Sequence, residues 1–246
     1  AEYLLVPRIA MDHGNLVVLE KEITATTLAL AEPVSCCLNG AGQVAVAPGE
    51  SVVVLGTGPI GLLHIALAKL AGATTILAAG REGRLTAATD FGATCAVALT
   101  GEALTDEGRE RTNGRGADVV IVAVGDPALL NVAARCAGIG AHICLFAGFP
   151  LSSLARIDPN LVHYRELTIS GSANATLSDY AAAVAMLSDG TLNLSPLLTH
   201  EFALHDIAAA LDAVRTRAGL KVAVRPGLAP TAEEDASRTV PAPTLA

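Results

Sequence analysis

The sequence predicts an α/β protein built on a doubly wound, six-stranded parallel sheet. Three observations carry that expectation. From Ser51 onward, short β-branched or aliphatic runs alternate with longer helical patterns, the mark of successive βαβ units. The runs Val52-Val53-Val54-Leu55 and Val119-Val120-Ile121-Val122 are continuously apolar instead of alternating, as strands covered on both faces must be. Between the first of these runs and an amphipathic helix lies Gly56-Thr57-Gly58-Pro59-Ile60-Gly61, a glycine-rich strand-to-helix turn.

In chain order, strands are expected at Ser51 to Leu55, Thr74 to Ala79, Cys95 to Ala98, Asp118 to Ala123, His142 to Phe146 and Leu167 to Ser170. Helices are expected between them, at about Ile60 to Ala71, Arg84 to Phe91, Leu104 to Thr112 and Pro127 to Cys136. Beyond Ser170 come a helix at Ser178 to Leu187, another at His205 to Thr216 and an apolar strand at Leu220 to Val224, which complete the fold. Ahead of the sheet, Tyr3 to Val6 reads as strand-like. The stretch from Arg225 to Ala246 has four prolines and no periodicity, the composition of a disordered tail. No internal repeat is visible.

Composition narrows the class of function. With 52% hydrophobic residues in 246, there is material for a large core. The longest apolar stretch, Leu62 to Ala79, is broken by Lys69 and Gly72, which argues against a membrane span. A net charge of -8 without a Lys/Arg cluster lacks the footprint of a nucleic-acid binder, so small-molecule or protein partners are favoured. Cys36, Cys37, Cys95, Cys136 and Cys144 form no C-x-x-C pair and no secretory signal precedes them, the pattern of reduced thiols in a cytoplasmic protein. The absence of an initiator Met before the strand-like opening suggests a fragment.

The glycine turn points to a pyrophosphate. One glycine permits the tight turn, one lets the backbone approach the phosphates and one lets helix pack on strand, and Gly56, Gly58 and Gly61 stand in those places. The helix starting at Pro59 and Ile60 then aims unpaired N–H groups and its positive dipole end at the negative charge. Pro59 suits a first helical turn, where its missing N–H is not needed. The alternative is a fortuitous strand-to-helix turn.

At the end of the second strand a dinucleotide site for NAD places an Asp or Glu on the adenosine ribose. Here the sequence is Ala78-Ala79-Gly80-Arg81-Glu82-Gly83-Arg84. The carboxylate is missing, Gly80 leaves room for a 2′-phosphate, and Arg81, or secondly Arg84, offers a guanidinium to grip it. NADP is therefore the expected cofactor and NAD the second choice; both arginines could instead be solvated residues at a helix start, and Glu82 could shift to meet a ribose.

An ordered series of segments resembles the medium-chain zinc-dependent alcohol dehydrogenase family, in its sorbitol/polyol and threonine dehydrogenase branch. The series is Ala1-Glu2-Tyr3-Leu4-Leu5-Val6-Pro7, Leu30-Ala31-Glu32-Pro33-Val34-Ser35, Gly49-Glu50-Ser51 through Gly61, Phe91-Gly92-Ala93-Thr94 and Leu197-Leu198-Thr199-His200-Glu201-Phe202. The resemblance implies a Rossmann domain at residues 38–172. It implies a remnant of the catalytic, GroES-like domain at 1–37, closing helices and a return strand at 173–226, and a tail at 227–246. It further implies hydride transfer between NADP and a secondary alcohol or ketone, with zinc polarising the oxygen, and a homo-oligomer. By the same resemblance the backbone of Leu145 to Ala147 faces the nicotinamide carboxamide, Asn174 lies near substrate, and Glu32 falls on the position of the third zinc ligand.

Catalytic zinc needs three protein ligands and one open position. The Cys and His that the family supplies from its preceding domain have no counterpart here, nor has its structural zinc lobe, and Cys36 and Cys37 are poorly spaced to replace them. No catalytic residue is assigned. His64, among Leu62, Leu63 and Ile65, reads as packed or cofactor-adjacent, His200 as part of a returning strand, and His13 and His205 as surface positions. Two other functions stay open. One is a non-catalytic dinucleotide-binding module or inactive paralogue; the other is a zinc-free quinone or enoyl reductase, against which Glu32-Pro33 argues.

Overall fold

The computed structural model describes residues 4–19 and 21–227. They form two compact units, one of residues 28–192 and one of the segments before 28 and after 192. Two short helical turns, α1 (Arg8–Asp12) and α2 (Ala25–Leu28), precede a 14-residue helix, α3 (Ala31–Val44). Then strand and helix alternate: β1 (Ser51–Leu55), α4 (Pro59–Leu70), β2 (Thr75–Ala79), α5 (Leu85–Asp90), β3 (Cys95–Val97), α6 (Gly101–Arg111), β4 (Ala117–Val122), α7 (Leu129–Cys136) and β5 (Ala137–Leu145). Helix α8 (Pro159–Tyr164), β6 (Thr168–Gly171) and α9 (Leu177–Ser188) follow, and then β7 (Leu198–Ala203), α10 (Ile207–Thr216) and β8 (Lys221–Arg225).

The six strands of the larger unit are all parallel, in the order β3-β2-β1-β4-β5-β6. This is the doubly wound sheet the sequence predicts. Its centre is apolar because the middle of its central strands is aliphatic: Val52 to Leu55 of β1 and the last four residues of β4 are all buried. Val53, Leu55, Val120 and Val122 share one core with Leu104 of α6 and Ala133 and Ala134 of α7. Fully burying one such valine or leucine stabilises by about 1.5–3 kcal/mol, so the centre of the sheet dominates the energetics. At its entry, Asp118 accepts hydrogen bonds from the Ser51 N–H and hydroxyl at 2.8 and 2.6 Å, bonds that outweigh burial and hold its carboxyl below the usual range. They pin β1 to β4.

Strand order reverses between β1 and β4, whose neighbours lie on opposite sides. At such a switch point the loops leaving the carboxyl ends of the two strands diverge and leave a crevice. The glycine turn after Leu55 and the segment Ala123-Val124-Gly125 after Val122 therefore line one opening.

Several expectations need correction. Helix α3 is continuous from Ala31 to Val44 and lies in the larger unit, which begins at Leu28. That unit runs to Leu192 and takes in α9, which packs on α3. Strand β5 starts at Ala137, five residues before His142, with a register slip between Ala117 and Val119 absorbing the extra length. Leu4 to Val6 has no strand; the tail from residue 228 lies outside the described residues.

The smaller unit holds a two-stranded parallel sheet, β7 beside β8, joined through α10. Gly219 is tight there: a Cβ would press on Thr199 Oγ1 and His200 Nδ1. His200 lies on β7 stacked with Phe202, and its Nδ1 sits 3.0 Å from the Thr199 hydroxyl, a structural role matching the returning strand expected of it.

Candidate dinucleotide cradle

The turn from Gly56 to Gly61 is shaped by contacts that leave no room for side chains. Gly56 has a φ of +114°, which other residues rarely adopt, and its N–H donates to the Ala79 carbonyl at 2.8 Å. A Cβ on Gly56 would collide with the Val124 side chain, and one on Gly61 would collide with the Gly56 carbonyl, so the helix seats directly on the turn. Gly58 is the N-cap of α4 with extended backbone and Pro59 opens the helix. No side chain caps that end. The first N–H groups of α4 thus face the crevice without a carboxylate to neutralise their dipole. Among the described residues, a phosphate is the kind of group these donors suit. Nothing within 4 Å opposes a Cβ on Gly58 and its φ is −75°, so neither packing nor backbone conformation requires a glycine there.

At the end of β2, Gly80 lies beside this turn and its N–H donates to Val97 at 3.0 Å. Arg81 follows, exposed, as the N-cap of a 3-10 turn over Glu82–Arg84, with the Arg84 N–H on the Arg81 carbonyl at 2.9 Å. Arg84 is half-buried at the N-cap of α5. The structure thus brings Gly56, Gly58, Pro59, Ile60, Gly61 and Gly80 to one edge, with Arg81 at its rim.

On the other side of the crevice, the Phe146 and Ala147 N–H groups both donate to the Val122 carbonyl, at 3.1 and 3.0 Å, and the Leu145 carbonyl accepts from Ser172 at 3.3 Å. Ala147 can therefore offer a ligand only its carbonyl. Three features here escaped the sequence. A Cβ on Gly125 would collide with the Gly148 carbonyl, so the β4 and β5 exits run close together there. Asn39 on α3 donates to the Asn174 and Ala173 carbonyls at 3.0 and 3.4 Å, holding the turn after β6, where Asn174 has a φ of +59°. The Ser172 hydroxyl is buried without a hydrogen-bond partner. No local pattern announces any of them, because each depends on strands meeting through the sheet.

His64 is 1% exposed, meets Phe146 edge-on at 4.5 Å between ring centroids, and neither ring nitrogen has a partner. Burial alone lowers its pKa to about 4. It is a packed, neutral histidine, as its apolar neighbours in the sequence suggest.

Glu32 sits exposed in the first turn of α3, and Cys36, one turn on, donates its thiol to Glu32 Oε1 at 3.5 Å. Burial, followed by the Glu32 carboxylate, pushes that thiol up. Among the described residues no three His, Cys, Asp or Glu converge where a metal ion could be held.

A doubly wound parallel sheet whose switch point carries an uncapped helix end over a glycine turn defines a dinucleotide-binding protein. Residues 59–189, more than half the chain, match the zinc-binding dehydrogenase family, and the chain belongs to it, within the medium-chain alcohol dehydrogenases. It is 31% identical over 216 residues to D-xylulose reductase A of Aspergillus niger, covering 84% of this chain and 58% of that protein. It is 30% identical over 223 residues to L-threonine 3-dehydrogenase of Vibrio parahaemolyticus, covering 90% and 63%. A solved zinc-binding dehydrogenase of Sinorhizobium meliloti, bound to NADP, superposes with a TM-score of 0.73 at 27% identity, covering 83% of this chain and 62% of that one. The chain thus spans about 60% of the length of these relatives.

Proposed function

We propose that this chain is the cofactor-holding part of an NADP-dependent, zinc-type dehydrogenase acting on a polyol or another secondary alcohol. The observation that carries the cofactor choice is the exit of β2: Gly80 and an exposed Arg81 stand where an NAD site would keep a carboxylate. The Gly56–Gly61 turn and the open end of α4 would hold the pyrophosphate, Arg81 the 2′-phosphate with Arg84 in reserve, and the Leu145–Ala147 backbone the carboxamide through a carbonyl. The nicotinamide, when bound, accepts or gives up the hydride. The substrate class follows from relatives that reduce xylulose or oxidise threonine, and the NADP-bound relative supports the cofactor.

The reading extends to a cytoplasmic, homo-oligomeric protein; no helix among the described residues is long and apolar enough to cross a membrane. Titration of the chain with NADPH and NADH, followed by nucleotide fluorescence, tests the reading directly. Tighter binding of NADPH is expected, and equal or tighter binding of NADH overturns it. A second reading, a dinucleotide-binding module without chemistry of its own, is favoured by the donor set at Glu32. Turnover of alcohols with NADP by this polypeptide would exclude it.

A further inference from the structure

β1 and β2 pair in register from Ser51 with Thr75 to Leu55 with Ala79, and the Gly56 N–H donates to the Ala79 carbonyl at 2.8 Å. The residues that leave these two strands are therefore forced together. Thr57 is only 4% exposed although it stands in a glycine turn. Its side chain lies against Gly80: a Cβ built there would overlap Thr57 Oγ1 and come within 2.6 Å of Thr57 Cβ and Cγ2, closer than real Cβ atoms approach anything. Gly80 itself lies outside the positive-φ region, so its backbone would accept any side chain. What keeps this position a glycine is Thr57, not conformation.

We propose that Thr57 is a specificity-determining residue for the cofactor. Its side chain occupies the space that a carboxylate on residue 80 would need, so the turn after β1 excludes the group that selects NAD and leaves the adenosine end to Arg81. The inference rests on the NADP reading and gives it a cause. Cofactor preference is then encoded in a pair, and changing either partner alone does not convert it. Gly80→Asp by itself drives a charged side chain into Thr57. Only with Thr57→Gly does the carboxylate gain a path to the ribose, since an alanine at 57 would still leave the 2.6 Å Cβ contact.

The test is a double-mutant cycle on the full chain, read by thermal melting and by NADPH and NADH fluorescence titration. For the uncharged pair, Gly80→Ala is expected to lower the melting temperature by about 5 °C in the parent and to leave it level or raised in Thr57→Gly. For the charged pair, Thr57→Gly with Gly80→Asp is expected to bind NADH at least tenfold more tightly than NADPH, the reverse of the parent. Gly80→Asp alone is expected to melt early and to bind neither well. Should it fail to fold, the uncharged pair decides. An equal loss from Gly80→Ala in both backgrounds overturns the steric gate. A double variant that still prefers NADPH overturns the role in specificity. A parent that prefers NADH overturns the cofactor reading itself, and is told apart because it is measured without any variant.

Discussion

The cradle after β1 and the carboxylate at the head of α3 are two regions the family resemblance ties to one reaction, yet they are built differently. The cradle is made of backbone. Gly56, Gly61 and Gly80 are held by strand pairing and by contacts that admit no side chain, so the site exists as soon as the sheet forms. The Glu32 position is made of side chains, and among the described residues no third His, Cys, Asp or Glu joins the exposed carboxylate and the thiol one turn away. A backbone site is complete within its own fold, whereas a side-chain site is complete only when every contributor is present.

The sharpest way to break this contrast is at Gly61, where any Cβ meets the Gly56 carbonyl. Gly61→Val should cost about 3 kcal/mol or more, through overpacking that a carbonyl cannot relieve, and abolish nucleotide binding. Denaturant melts and fluorescence titration check it; near-parental stability with binding intact would mean that α4 is not locked to the turn.

His64 sharpens the comparison from beneath the cradle. Its folded pKa of about 4 lies below the ordinary 6.5, so between those values the unfolded chain binds a proton that the folded chain does not. Stability should therefore fall as pH drops from 6.5 toward 4 and the loss should level off below 4, reaching about 3 kcal/mol at most. A steeper slope in the parent than in His64→Leu is the expected signature in melts taken across that range; parallel profiles would remove His64 from the account.

Arg81→Ala should weaken NADPH by about ten- to a hundredfold, the range for losing a charge-assisted hydrogen bond, and leave NADH unchanged. If Arg84→Ala does so instead, the anchor is the half-buried arginine. The smallest effect is expected at Glu32. Glu32→Gln should change stability by less than about 0.5 kcal/mol, because its carboxylate is exposed. Elemental analysis should find no stoichiometric zinc lost with it, and one tightly held zinc in the parent would erase the contrast between the regions.

Much of the sheet was legible because its signals are local. The apolar runs of β1 and β4 and the glycine spacing before α4 need no partner to be read. Helix α3 was not legible: Pro33, Gly40 and Gly42 are poor helix formers, and packing against α4, α9 and β5 overrides them. Gly40 shows why, since a Cβ there would come within 2.8 Å of Phe146 and 3.2 Å of His64. Helix α8 carried a readable start, Asp158 capping the Asn160 N–H at 2.9 Å ahead of Pro159, that the longer periodic segments obscured.

The sequence by itself determined the class of fold, the position of the glycine turn and the missing carboxylate at the end of β2, because strand burial, helix initiation and turn chemistry depend on residues close in the chain. Tertiary structure alone decided that Thr57 fills the place beside Gly80, that Asn39 holds the turn at Asn174, and that the Cys36 thiol meets the Glu32 carboxylate. Those are relations between elements. They are fixed by strand register and helix packing, which bring together side chains that no spacing along the chain connects.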